Sequence, residues 1–98
     1  MFKVDIDEYA EGAVLLTGLE SAVIGVVEEF GNDKRMLYSK HKILKILQER
    51  DLMTYDESEE FYYYNILGLH AGNQNAVFLD IELEPVIEDN VWVYRIKE

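Results

Sequence analysis

The sequence predicts an α+β fold: an antiparallel sheet of three to four strands packed against three helices. Two capping-box patterns and one serine cap, each followed by apolar residues at helical spacing, mark the helices. Period-two alternation in three segments marks the strands. Hydrophobic residues make up 49% of the 98 residues, which suffices for a packed core and argues against disorder. A single globular domain over residues 1–98 is expected.

Phe2, Val4 and Ile6 alternate with Lys3, Asp5 and Asp7, the pattern of a half-buried strand. Ala13 to Leu16 reads as a short extended piece or a lead-in. Thr17 and Glu20 have capping-box spacing, and Leu19, Ala22, Val23, Val26, Val27 and Phe30 follow on one helical face. Gly31 would stop that first helix. Met36 to Tyr38 adds a short strand. Ser39 caps a second helix through about Arg50, with Ile43, Leu44, Ile46 and Leu47 inward. Thr54 and Glu57 form a second capping box, and Asp56, Glu57, Glu59 and Glu60 suit the positive end of a third helix dipole. Tyr63, Ile66, Leu67 and His70 share a side of that helix; Gly68 is a site of close approach and Gly72 the stop. Ala76 to Leu83 reads as one strand, Glu88, Asp89 and Asn90 as a turn, and Val91 to Ile96 as the last strand. Pro85 lacks an N–H and belongs at an edge or bulge.

The charge balance narrows the function. Twenty acids against nine bases give a net charge of -11. Phosphate binding needs a basic face, so no direct nucleic-acid contact is expected, and anionic membranes are disfavoured. A partner protein with a basic surface is favoured. Six of the nine bases, Lys34, Arg35, Lys40, Lys42, Lys45 and Arg50, cluster around the second helix, so the molecule is polarised. Phe61 to Leu79 holds no Asp, Glu, Lys or Arg, but its amides and glycines fit helix, turn and strand better than a bilayer span. The first residues lack the pattern of a signal peptide, and a cytoplasmic location is expected. Without cysteine there is no disulfide, thiol chemistry or Cys-based zinc site.

The segments GLESAVIGVVEEFG, LYSKHKILKILQERDLMTYDESEEFYYYNILG and AVFLD resemble a family of small open reading frames of bacteriophage genomes. The likeness covers roughly Gly18 to Asp80, and MTYDES and YYYNILG are its most specific parts. It implies a phage origin, hence the cytoplasm of an infected bacterial host, and carries over no catalytic residue. From Ile81 onward the chain departs from the family pattern. By class analogy, small acidic phage proteins often block host proteins such as CRISPR effectors, restriction enzymes and repair enzymes.

Asp80, Glu82 and Glu84 recur every second residue, so one strand would carry them on one face at a spacing of about 6.6 Å. Glu88 and Asp89 extend the charge. Such a row either imitates a phosphate backbone or is an ordinary solvated sheet face. Strand-borne acids at that separation do not converge on one cation, so no metal or cofactor is expected. Phe61, Tyr62, Tyr63 and Tyr64 cannot all be buried on a helix. Tyr62 and Tyr64 are therefore candidate contacts beside the five acids, against the alternative that the rings simply wrap the helix. His70 is either a general base, for which Asp80 is the nearest carboxylate in sequence, or a residue that satisfies backbone near a helix end. No nucleotide, metalloprotease or hydrolase motif is present. The expected function is inhibition of a host nucleic-acid-processing or defence protein, in the manner of an anti-CRISPR or anti-restriction DNA mimic. The alternatives are a self-associating module, a homo-oligomer held by basic helix against acidic strand, and a small enzyme using His70.

Overall fold

A computed structural model of the chain describes residues 5–69 and 74–97. The Asp5 carboxylate accepts from the Asp7 N–H at 3.0 Å and caps a one-turn helix, α1, Ile6–Tyr9. Ile6 is thus helical, not part of a strand; Phe2 and Val4 lie outside the described residues.

The largest correction concerns Thr17 to Phe30. In place of a helix, a 3-10 turn at Glu20–Ala22 leads into a strand, β1, Val23–Val27. Two local causes act together. Both Glu20 carboxylate oxygens accept from the Gly18 N–H at 3.0 Å, and Gly18 sits at φ 88, so the loop closes on itself instead of capping a helix. Four of the five residues that follow are β-branched, and their stiff side chains favour a pleated strand. Phe30 lies beyond the strand and is fully exposed.

β2, Arg35–Ser39, pairs antiparallel with β1, with an irregularity between Val23 and Gly25. Ser39 ends β2 and caps α2, Lys40–Arg50, its hydroxyl accepting from the Lys42 N–H at 3.2 Å. α3, Tyr55–Phe61, begins with the predicted capping box: Thr54 Oγ1 accepts from the Glu57 N–H, and Glu57 accepts from the Thr54 N–H. The helix then widens into a π-type segment, Tyr62–Leu67, ending at Gly68. That widening turns Tyr62 and Ile66 into the core while Tyr63 and Tyr64 stay outside. His70 and Gly72 lie outside the described residues.

β3, Val77–Leu79, runs parallel to β2, with Val77, Phe78 and Leu79 opposite Leu37, Tyr38 and Ser39. The sheet has the order β1-β2-β3 and is therefore mixed. The strand predicted over Ala76–Leu83 is split in two. Its partner β2 turns into α2 at Ser39, so β3 has no neighbour to pair with beyond Leu79. The chain crosses Asp80–Glu82 and re-forms as β4, Leu83–Glu88, which pairs with β5, Val91–Ile96, in a separate two-stranded antiparallel sheet. Asp89 at φ 50 and Asn90 at φ 65 make the left-handed two-residue turn that matches hairpin twist. Pro85 stands in this hairpin, where each strand is an edge.

The core joins Leu19 and Ala22 to Met36 and Tyr38 of β2, Ile43, Leu44 and Leu47 of α2, and Tyr62 and Ile66. Tyr38 is wholly buried, and its hydroxyl accepts from the Leu16 N–H at 2.7 Å. Arg50 closes the far end of α2: it grips Asp51 with two nitrogens and donates to the Gly18 carbonyl at 2.7 Å. Gln74 donates to the carbonyls of Glu11 and Lys34, and its own carbonyl accepts from the Val14 N–H. No hairpin side chain belongs to this core.

Candidate functional site

The acidic segment leaves the body at Lys40, the first residue of α2. A cation there faces the unfavourable end of the helix dipole, so it needs compensation. Lys40 Nζ donates to the Tyr63 hydroxyl at 2.7 Å and to Asp80 Oδ1 at 3.3 Å. It also lies over the rings of Tyr63 and Tyr62, at 4.7 and 5.5 Å from their centroids. The hydrogen bond that Lys40 donates to Tyr63 outweighs desolvation and, with Asp80, holds the Lys40 pKa above the ordinary lysine value. Lysine nucleophiles and bases need the opposite shift. Lys40 is therefore a fixed cation that ties the end of β3 to the start of α2.

A cleft of about 680 Å³ opens beside it, between the start of α2 and the base of the hairpin. Lys40, His41, Lys42 and Lys97 contribute positive or titratable groups, and Asp80 and Glu82 negative ones. Ile24, Leu79, Ile81 and Ile96 supply apolar wall. Lys97 closes the base of the hairpin: its N–H donates to the Glu82 carbonyl at 2.8 Å, and its ammonium meets Glu82 Oε1 at 3.2 Å.

The five predicted acids therefore do not form one row. Asp80 sits on the exit from β3 and is paired with Lys40; Glu82 lies in the crossing segment and is paired with Lys97. Glu84, Glu88 and Asp89 belong to the hairpin and are exposed. Glu84 stands across from Arg95 in the register, Glu88 across from Val91, and Asp89 is in the turn. Among the described residues none of these three forms an ion pair.

Tyr62 is corrected outright as a contact residue. It is 2% exposed, packed edge-on against Phe78 and Tyr63, and burial pushes its pKa up to about 12. The exposed ring of the pair is Tyr64, at 78%. It lies in a shallow depression with Met53, Glu57, Glu60, Phe61 and Asn65, so an aromatic anchor is set among carboxylates on α3. Sequence reasoning missed the exposed aliphatic and aromatic side chains of the hairpin. Their signal was present: Leu83, Pro85 and Ile87 alternate with Glu84, Val86 and Glu88, and among the described residues no third strand joins this sheet.

Among the described residues no cluster of three His, Asp or Glu side chains has the placement to hold a metal ion. No helix among them is long and apolar enough to cross a membrane. No family model, curated protein or solved structure matches the chain.

Proposed function

We propose that this chain is a small acidic binding protein, phage-encoded, that occupies a basic surface of a host nucleic-acid-processing or defence protein in the cytoplasm of the infected cell. The observation that carries the reading is the exposed carboxylate set Glu84, Glu88 and Asp89, which has no ion pair among the described residues of a chain of net charge -11. Unpaired surface charge of one sign steers encounter with an oppositely charged partner and makes association salt-sensitive. Nucleic-acid mimicry would rest on fewer groups than the sequence suggests, because Asp80 and Glu82 already have cations. Glu84 and Glu88 share a face about 13 Å apart, too far to reach adjacent phosphate-binding sites. Tyr64 with Glu57 and Glu60 supplies a second acidic contact.

The test is affinity capture from bacterial lysate, read by mass spectrometry, with wild type and Glu84→Lys/Glu88→Lys side by side. The variant should lose the captured protein, and raised salt should slow its capture by wild type. Capture unchanged by both would sink the electrostatic reading.

A further inference from the structure

The hairpin has two unlike faces. Cross-strand pairing puts Leu83 opposite Ile96, Pro85 opposite Tyr94 and Ile87 opposite Trp92, all on one side. The other side carries Glu84, Val86, Glu88, Val91, Val93 and Arg95. The first side has no charge, yet Leu83 is 52% exposed, Ile87 61%, Trp92 64%, Tyr94 68% and Ile96 60%. Neither strand packs extensively on any other element. A lone two-stranded hairpin is marginal in water, and an aromatic face of this kind is characteristic of an interface.

We infer that this face is covered by the same face of a second copy, giving a two-fold dimer of stacked hairpins. Two observations choose the occupant. The first is area. The six residues expose roughly 700 Å² of mostly apolar surface, so two copies can remove up to about 1,400 Å² from water, a ceiling that reaches the standard range for stable complexes. A self-complementary patch closes into a two-fold dimer with no open end. The second is charge. Residues 83–97 hold three acids, Glu84, Glu88 and Asp89, and two bases, Arg95 and Lys97, a net of -1 in a chain of -11. Like copies meet least repulsion there. A basic partner, by contrast, would have no carboxylate to recognise on the uncharged side. Stacking at about 10 Å leaves Glu84 and Glu88 pointing outward on both copies. The inference stands whether or not the partner-binding reading does, because it uses the opposite face.

Analytical ultracentrifugation of the full chain over a concentration series tests it. A species of twice the 11.5 kDa chain mass is expected, and it should persist at high salt because the contact is apolar. Trp92→Ser should raise the dimer dissociation constant by about thirtyfold or more, as loss of a central aromatic anchor does. Ile87→Lys should abolish the dimer. Val86→Thr, on the other face, should leave it intact. Unchanged far-ultraviolet dichroism shows that the body still folds in each variant. A wild-type monomer at all concentrations, a dimer that dissolves in salt, or a dimer indifferent to both Trp92→Ser and Ile87→Lys would each overturn the proposal.

Discussion

Two aromatic strands of this molecule have opposite fates. In β2, Met36 and Tyr38 point into the core at 1% and 0% exposure, the Tyr38 hydroxyl is hydrogen bonded, and its ring lies against Phe78. In β5, Trp92 and Tyr94 also alternate with other residues, yet they are 64% and 68% exposed. The difference does not come from the residues, since both strands are rich in apolar and aromatic side chains. It comes from what lies over them. β2 has a strand on each side and α2 packed nearby, whereas β5 has one neighbour. The body therefore buries the inward side chains of its central strand, whereas the hairpin leaves one whole apolar face in water.

The comparison is broken most directly by trimming one side chain from each region. Leu47→Ala in the core should cost about 2–5 kcal/mol in urea denaturation, since burial and residual cavity both count. Tyr94→Ala, measured at a concentration where the chain is monomeric, should stay within about 0.5 kcal/mol. Equal costs would mean that the hairpin is part of the body after all. A smaller effect sharpens the account of β2. Tyr38→Phe keeps the ring but leaves the Leu16 N–H without its acceptor, and should cost about 1–2 kcal/mol by thermal or urea unfolding. The smallest effect is a pH dependence at the start of α3. Backbone hydrogen bonding from Thr54 holds the Glu57 pKa below the ordinary glutamate value. Its stabilising contribution is then present above the unfolded pKa and lost as pH falls through the lower folded one. The stability difference between wild type and Glu57→Gln should therefore shrink on acidification; a difference constant with pH would remove Glu57 from the cap.

The α+β class, the cap and span of α2, the capping box of α3 and the Asp89–Asn90 turn were all legible, because each rests on contacts within a few residues. The failures have a shared cause. Val23, Val26 and Val27 satisfy a helical spacing and a strand equally well on paper, and pairing with β2 decides in favour of the strand. Asp80, Glu82 and Glu84 satisfy strand alternation, but their common strand needs a neighbour that β2 ceases to be at Ser39. The π-type segment that buries Tyr62 and exposes Tyr64 leaves no periodic mark in YYYNIL. Of the site, the acids were visible in the sequence and their pairing with Lys40 and Lys97 was not, the partners lying 40 and 15 residues from Asp80 and Glu82.

The only tryptophan in the chain is Trp92. Indole emission in this protein therefore watches the hairpin alone, while the tyrosines Tyr38 and Tyr62 and the helices report the body. Denaturation followed by fluorescence and by dichroism should give two midpoints. Such a gap marks a populated state in which the hairpin has melted while the body is still folded, and coincident midpoints would make the two regions one cooperative unit.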